Sequence, residues 1–241
     1  MILFCLPYAG GSELIYYDWQ KYLDSSFKLE PIELKGRGSR YDEGFYESFD
    51  EAVNDIFLKM RDRIVQHKYA VFGHSLGSLF AYELYYKICE ENLPKPQHIF
   101  FSGDVPPSIR REDKELHKLS DDEFMKEIID LGGTPRELLE NDELLQFVIP
   151  ILRRDIKINE SYVYKEREAK IECDVTVFSG KEEDITLLEL LEWKNHCAQR
   201  FRIQMMEGNH FFINNNAPNI MRIINSELNK HVDRLGETRC R

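Results

Sequence analysis

The chain has 241 residues, of which 42% are hydrophobic and 12% aromatic, with a formal net charge of −11 and a pI of about 5.2. This length and apolar content allow one domain with a full core and exclude disorder throughout. The acidic charge and the lack of a basic stripe argue against nucleic-acid binding. No run reaches transmembrane length, and the apolar N-terminal segment is too short for a signal peptide, so we expect a cytoplasmic protein.

Cysteine usage and local charge add little to this picture. The five cysteines are scattered and form no C-x-x-C pair, so neither a zinc site nor a disulfide framework is predicted, and we expect no metal. They are Cys5, Cys89, Cys173, Cys197 and Cys240. Two short basic runs, Arg110-Arg111 and Arg153-Arg154, are interpreted as solvated helix faces rather than as a site for an acidic protein.

In chain order, short apolar segments alternate with longer helical stretches, a pattern typical of an α/β protein. We expect a mostly parallel sheet with helices on both faces, in one domain over 1–241. The predicted strands lie near 1–6, 28–33, 69–73, 98–102, 174–179 and 201–206, and the predicted helices near 13–24, 47–66, 76–91, 186–199 and 216–231. The loops after the strands should meet at one edge, where such folds carry their active sites.

One segment interrupts the alternation. Residues 112–131 and 137–164 have helical patterns, and Ser120 with Glu123 forms a candidate capping box. The residues Leu131-Gly132-Gly133-Thr134-Pro135 between them predict a helix stop and restart. We therefore expect a helical insertion over about 108–165 that lies above the strand ends as a lid, the plainer alternative being a pair of packing helices.

The most informative motif is Gly73-His74-Ser75-Leu76-Gly77, which lies between a predicted strand and a predicted helix. A G-x-S-x-G sequence in that context is typical of a nucleophile elbow, in which a strained turn exposes the serine hydroxyl. The glycines are needed because a Cβ there would clash with the neighbouring strand and helix. We therefore predict that Ser75 is a nucleophile, and the alternative is a buried serine in an ordinary turn.

A serine nucleophile needs a histidine base oriented by a carboxylate. His210 is the best candidate among the seven histidines, because it follows a predicted strand and the turn Glu207-Gly208-Asn209 near the end of the chain. For the acid, Asp184 is preferred because it follows the strand at 174–179. Glu183 is adjacent to it, and Asp104 follows an earlier strand, so both stay open as alternatives.

Catalysis by this mechanism also needs two N–H donors for an oxyanion. One is expected to be the backbone N–H of Leu76, directly after the nucleophile. The other is expected from the loop Pro7-Tyr8-Ala9-Gly10-Gly11-Ser12, and Ala9 is the preferred donor. This glycine-rich loop lacks the lysine-serine pair of a phosphate-binding loop, so a nucleotide site is not predicted.

Taken together, these motifs resemble those of type II thioesterases, the stand-alone α/β-hydrolases associated with nonribosomal peptide and polyketide synthases. The resemblance covers nearly the whole chain, and its motifs lie at residues 3–12, Tyr17, Trp19, residues 36–40, 72–78, 102–103, 131–135, 150–155 and 178–180, Trp193 and residues 208–212. The chain departs from the pattern at Lys35 and Asp174. The turn before Asp184 looks one residue longer than usual, which leaves the choice between Asp184 and Glu183 open.

The resemblance implies an enzyme that hydrolyses acyl or aminoacyl thioesters on the phosphopantetheine arms of carrier proteins and so clears misprimed or stalled synthases. It implies a triad of Ser75, Asp184 and His210, with Ala9 and Leu76 forming the oxyanion hole. No bound cofactor is expected, because the substrate itself carries the phosphopantetheine, and we expect a monomer. The alternatives are a general carboxylesterase or acyl-CoA thioesterase of the same fold, a terminal releasing thioesterase domain, or a non-catalytic binding protein.

Overall fold

The computed structural model describes residues 1–109, 115–130 and 142–238, and six strands of this chain pair in one parallel sheet. The strands are β1 (Ile2–Leu6), β2 (Lys28–Pro31), β3 (Tyr69–His74), β4 (His98–Ser102), β5 (Asp174–Gly180) and β6 (Phe201–Met206). Their spatial order is β2-β1-β3-β4-β5-β6. All six expected strands are therefore present, and β2 is two residues shorter than predicted.

The described helices are α1 (Phe49–Gln66), α2 (Leu76–Glu90), α3 (Asp121–Asp130), α4 (Asp142–Glu160), α5 (Leu187–Glu192) and α6 (Ala217–Thr238). None of them combines the length and apolarity that a membrane span requires. Outside the insertion, two predicted helices are only partly α-helical or not at all: the one expected at 13–24 is a 3₁₀ segment over Glu13–Lys21, and the one expected at 186–199 is α5 followed by a 3₁₀ turn. In the second case the indole of Trp193 stacks on Phe101 with ring centroids 4.0 Å apart, and this tertiary packing overrides the helical pattern.

Both faces of the sheet are covered, as expected, because successive side chains of a strand point to opposite sides. In β1, Ile2, Phe4 and Leu6 belong to one core cluster, which includes residues of α1 and α2. Leu3 and Cys5 belong to the cluster on the other face, which includes residues of α6 and of the 3₁₀ segment.

The helices α3 and α4 lie in the chain between β4 and β5, where the helical insertion was expected. Phe124, Ile128 and Ile156 form a small buried cluster that also contacts Ala9. The predicted helix break at 131–135, the run Arg110-Arg111 and Cys240 lie outside the described residues. The role of the insertion as a lid stays a prediction.

Arg153 corrects one expectation about this region. Its guanidinium donates hydrogen bonds to the carbonyls of His117 and Leu119 and lies over the ring of Phe124, 4.2 Å from the centroid. Arg153 therefore packs within the helical insertion and is not part of a solvated face, whereas Arg154 is exposed, as expected.

The register of the sheet brings the strand ends to one edge. Leu6 is paired with Gly73, His74 with Ser102, and Gly180 with Met206. The strand order reverses between β1 and β3, since β1 pairs with β2 on its other side. Such a reversal creates a crevice beyond the carboxyl ends of the strands, and ligands of open α/β sheets bind there. The loop after β1 and the turn after β3 both lie at this position.

Candidate active site

Ser75 occupies the turn between β3 and α2 in a strained conformation, with φ of 53° and ψ of −118°. A positive φ is rare for a residue with a side chain and marks stored strain. The flanking glycines explain how the turn closes: a Cβ on Gly73 would lie 2.0 Å from the carbonyl oxygen of Gly77, and one on Gly77 would lie 2.2 Å from that of Leu6. The expected nucleophile elbow is therefore the observed local structure.

Ser78 stabilises this elbow by linking β3 to β4. Its hydroxyl accepts a hydrogen bond from the N–H of Ser102 (2.8 Å) and donates to the carbonyl of Gly73 (2.7 Å). The N–H of Ser75 donates to the carbonyl of Ser102 (2.8 Å), which continues the pairing with β4 past the end of the strand. The strained turn is thus held by its neighbours in the sheet.

His210 lies in the loop after β6, as predicted, and the fold brings it next to the elbow. Its ring centroid is 5.1 Å from that of His74, the residue before Ser75. Its Nδ1 is 2.7 Å from Oε1 of Glu183. With Nδ1 engaged by a carboxylate, Nε2 is the nitrogen that can exchange a proton with a nucleophile.

The carboxylate at His210 is that of Glu183, the alternative that the sequence left open, rather than the preferred Asp184. The Glu183 side chain is only 3% exposed, and its Oε2 accepts hydrogen bonds from the N–H of Gly180 (2.6 Å) and the hydroxyl of Ser179 (3.0 Å). Asp184 is exposed. The tight turn after Gly180, closed by the N–H of Glu183 donating to its carbonyl, directs residue 183 inward.

The loops after β5 and β6 approach each other closely, which explains why this turn begins with a glycine, Gly180. A Cβ on Gly180 would lie 2.5 Å from the carbonyl oxygen of Gly208, in the loop that carries His210.

The other acid candidate was Asp104. Its side chain accepts a hydrogen bond from the N–H of Val105, and its backbone carbonyl accepts one from the indole of Trp193. Asp104 thus organises the loop after β4.

His74 is buried directly beside His210. Its Nδ1 lies 2.8 Å from the hydroxyl of Ser102, and burial, followed by the nearby His210, holds the pKa of His74 well below its usual range. His74 is therefore neutral at physiological pH. A neutral His74 ring places no second positive charge next to His210.

The loop after β1 forms a tight turn. The N–H of Gly11 donates to the carbonyl of Tyr8 (2.9 Å), and Gly10 has a φ of 77°, as in a type II turn. The carbonyl of Tyr8 points into the turn, because it accepts this hydrogen bond. The N–H of Ala9 belongs to the same trans peptide and points the opposite way, out of the turn. Leu76 begins α2, whose first N–H groups have no partner within the helix. The assignment of Ala9 and Leu76 as oxyanion donors stays a prediction.

Sequence reasoning missed a buried ion pair behind this turn. Arg37 and Asp155 make two hydrogen bonds, of 2.5 and 2.6 Å, and Oδ2 of Asp155 also accepts from the N–H of Gly10 at 2.7 Å. Both positions belong to motifs of the resemblance, but no role was assigned to them. The available signal was an aspartate that directly follows Arg153-Arg154 in a helical stretch whose other residues, over 149–156, are apolar.

Within the described ranges, one trio of side chains has the ligand types and spacing of a metal site: His98, Asp174 and His231. It lies at the amino-terminal ends of β4 and β5, at the edge of the sheet opposite Ser75. Arg200 donates to Asp174 at 2.6 Å. A cation would therefore have to bind next to a guanidinium, which disfavours a metal there.

Comparisons with known proteins show the family of the chain. The family model described as thioesterase domain matches residues 1–228. GrsT of Aneurinibacillus migulanus, a gramicidin S biosynthesis protein, is 32% identical over 212 residues, which cover 88% of this chain and 82% of that protein.

Solved structures agree as well. ClbQ, from the colibactin NRPS/PKS pathway, superposes with a TM-score of 0.91 at 32% identity, covering 95% of this chain and 97% of that chain. BorB, a type II thioesterase from the borrelidin biosynthetic cluster, superposes with a TM-score of 0.85 at 29% identity, covering 94% and 92%. These similarities confirm the α/β-hydrolase fold, and they do not fit the alternative of a general carboxylesterase or acyl-CoA thioesterase.

Proposed function

We propose, from the premise that this chain belongs to the thioesterase domain family, that it is a stand-alone type II thioesterase whose triad is Ser75, His210 and Glu183. Its substrates are acyl or aminoacyl thioesters on the phosphopantetheine arms of carrier proteins of a nonribosomal peptide or polyketide synthase. It acts as a monomer in the cytoplasm and needs no bound cofactor.

One observation carries the proposal: a strained serine and a carboxylate-bound histidine share the carboxyl edge of one sheet. The ring of His74, adjacent to Ser75 in the chain, is 5.1 Å from the ring of His210, and Nδ1 of His210 is bound to Glu183. A serine hydroxyl alone is a poor nucleophile at neutral pH, and His210, oriented by Glu183, is the base that we assign to it.

In the first half-reaction the hydroxyl oxygen of Ser75 attacks the thioester carbonyl while Nε2 of His210 takes the hydroxyl proton. Glu183 stabilises the resulting imidazolium through Nδ1. The carbonyl oxygen becomes negatively charged and is held by the N–H groups of Ala9 and Leu76. The C–S bond then breaks, the pantetheine thiol leaves with the proton from His210, and an acyl-enzyme ester remains on Ser75.

In the second half-reaction a water molecule attacks the ester carbonyl. His210 takes a proton from the water and returns it to the Ser75 oxygen as the ester bond breaks, which releases the free acid and regenerates the enzyme. Each proton that His210 accepts places a positive charge next to Glu183, whose carboxylate is already oriented by Gly180 and Ser179. The charge is therefore stabilised without rearrangement of the loop.

The similar proteins support a carrier-bound substrate, because ClbQ comes from an NRPS/PKS pathway, BorB is a type II thioesterase from a biosynthetic cluster, and GrsT is a gramicidin S biosynthesis protein. The helical insertion supports it as well. Its apolar residues Phe124, Ile128 and Ile156 cluster against Ala9, so the insertion brings apolar side chains next to the loop after β1 that we expect to hold the oxyanion.

The deciding experiment incubates the full chain with a panel of carrier proteins loaded with acetyl, longer acyl and aminoacyl groups, and follows unloading by intact-protein mass spectrometry. We expect conversion of acyl carriers to free-thiol carriers, and no conversion by Ser75→Ala. Matched free oxygen esters should be hydrolysed with a lower kcat/KM. A higher kcat/KM for the free esters, or unloading by the Ser75→Ala variant at the wild-type rate, would contradict the proposal.

A further inference from the structure

We propose that Arg37 and Asp155 are positioning residues that orient the oxyanion turn, defined as residues 8–11, and that Asp155 couples this turn to helix α4. The inference deepens the proposed function and rests on it in one respect, namely that the turn donates an N–H to the oxyanion. Neither residue touches the reacting atoms; both act through the backbone of the turn.

The pair is almost inaccessible to solvent, with side-chain exposures of 4% for Arg37 and 2% for Asp155. Nη1 and Nη2 of the guanidinium reach the two carboxylate oxygens separately, at 2.5 and 2.6 Å. This two-point arrangement fixes the relative orientation of the groups as well as their distance. Desolvated charges are tolerated only when they are fully hydrogen-bonded, and the turn supplies part of that bonding.

Two backbone groups of the turn are bound by this pair. The N–H of Gly10 donates to Oδ2 of Asp155 at 2.7 Å, and the carbonyl of Gly11 accepts from Nη1 of Arg37 at 3.0 Å. The turn also closes internally, from the N–H of Gly11 to the carbonyl of Tyr8. The peptide plane between Tyr8 and Ala9 is therefore fixed from both ends of the turn, and with it the direction of the Ala9 N–H.

Asp155 belongs to α4, so the charge that holds Gly10 comes from the helical insertion and not from the sheet. A Cβ on Gly10 would lie 2.9 Å from Cδ1 of Leu152, one helical turn before Asp155, which shows that α4 lies directly against the turn. A charge-assisted hydrogen bond to a backbone N–H is stronger than a neutral one. Displacement of α4 would thus release the turn and misdirect its donor.

The test is the variant Asp155→Asn, which keeps the shape and an acceptor but removes the charge. The substrates are an acyl pantetheine thioester and p-nitrophenyl butyrate, so that no carrier protein is needed. Loss of one oxyanion donor lowers kcat by about 100- to 1,000-fold, and misorientation should lower it by about 10- to 100-fold. We expect KM to change by less than about threefold, since the contact acts on the transition state.

A second readout is the rate at which a fluorophosphonate labels Ser75, because its phosphoryl oxygen occupies the position of the oxyanion. This rate should fall in parallel with kcat in Asp155→Asn. Arg37→Lys keeps the charge but not the two-point geometry, and we expect a smaller loss of kcat in the same direction. This variant also keeps the proposal testable if Asp155→Asn does not fold.

The chain provides a matched control in the pair Arg40 and Asp55, which makes two hydrogen bonds of 2.7 and 3.0 Å, but with Asp55 lying on α1 rather than on α4. Asp55→Asn should lower Tm by less than Asp155→Asn, because Arg40 keeps Glu43 as a second carboxylate partner, and it should leave kcat within about twofold of the wild type.

The proposal is overturned if folded Asp155→Asn or Arg37→Lys retains kcat and labelling rate within twofold of the wild type, or if Asp55→Asn loses as much kcat as Asp155→Asn. Failure of the proposed function looks different: the wild type would then hydrolyse p-nitrophenyl butyrate but leave carrier-bound thioesters intact, and the effect of Asp155 would still be measurable.

Discussion

Nδ1 of His210 lies 2.7 Å from Oε1 of Glu183, while the other oxygen of the same carboxylate is bound by the N–H of Gly180 and the hydroxyl of Ser179. The carboxylate is thus fixed by the turn from which it projects, and only one oxygen is left for the imidazole. Such a carboxylate selects one tautomer of the histidine and stabilises its protonated form.

The first prediction concerns the variant Glu183→Gln. An amide in this position can present its NH₂ to Nδ1, which favours the wrong tautomer, and it cannot stabilise an imidazolium. The equivalent change in a serine protease lowers kcat by about 10,000-fold, so we expect a loss of about 100- to 10,000-fold for thioester hydrolysis. Steady-state kinetics on an acyl pantetheine thioester would measure it.

Asp184→Asn is the matched control. Asp184 is exposed and adjacent to Glu183 in the chain, so we expect its kcat to stay within about threefold of the wild type. The reverse result, with Asp184→Asn inactive and Glu183→Gln active, would assign the acid to Asp184.

The contrast between these two residues shows what the sequence could predict. The strands, the elbow at Ser75 and the position of His210 depend on local patterns, namely apolar periodicity and glycine spacing, and were readable without a structure. The choice between Glu183 and Asp184 depends on which way two adjacent side chains point at the end of a turn, and composition carries no information on that. The pair of Arg37 and Asp155 joins residues 118 positions apart, and only the folded chain brings them together.

The second prediction uses the strained φ of Ser75. Ser75→Ala and Ser75→Gly should both abolish fluorophosphonate labelling, because the oxygen is gone. They should differ in stability: strain of this type stores about 1–3 kcal/mol, and glycine relieves it at an entropic cost of about 0.5–1 kcal/mol. We expect the glycine variant to be more stable than the alanine variant by about 1 kcal/mol in urea unfolding. Equal or lower stability of Ser75→Gly would show that the turn is not strained.

The third prediction compares two glycines. In Gly77→Ala the new Cβ would lie 2.2 Å from the backbone oxygen of Leu6, and no side chain can move to relieve the contact. We expect a variant that unfolds or loses more than about 3 kcal/mol, because β1 must separate from α2. Urea unfolding followed by circular dichroism would measure the loss.

Gly44→Ala is the control for this comparison, because a Cβ on Gly44 meets no atom within 4 Å and is opposed only by a positive φ (74°), which Gly77 does not have. With φ of 74° and ψ of −157°, Gly44 has a backbone conformation that residues with a side chain rarely adopt, and this alone should lower the free energy of unfolding by about 1–3 kcal/mol. If Gly77→Ala lowered the free energy of unfolding no more than Gly44→Ala does, the elbow could not lie as close to β1 as the structure places it.

The fourth prediction concerns acid stability. Burial holds the pKa of His74 and of His98 well below the usual range, and nearby His210 and His231, respectively, add to the effect. Above about pH 7 both side chains are neutral in the folded and unfolded chain. Below about pH 6.5 the unfolded chain binds protons at these positions and the native protein does not, so the free energy of unfolding decreases as the pH is lowered.

Each of these two histidines should lower the free energy of unfolding by about 1.4 kcal/mol between pH 7.5 and pH 5.5. Urea unfolding at the two pH values would measure the decrease in the wild type and in His98→Asn. The variant removes one titrating group, so its decrease should be smaller by about 1.4 kcal/mol, whatever its stability at pH 7.5. An equal decrease in both proteins would mean that His98 is protonated in the native state at pH 5.5, contrary to its burial beside Arg200 and His231.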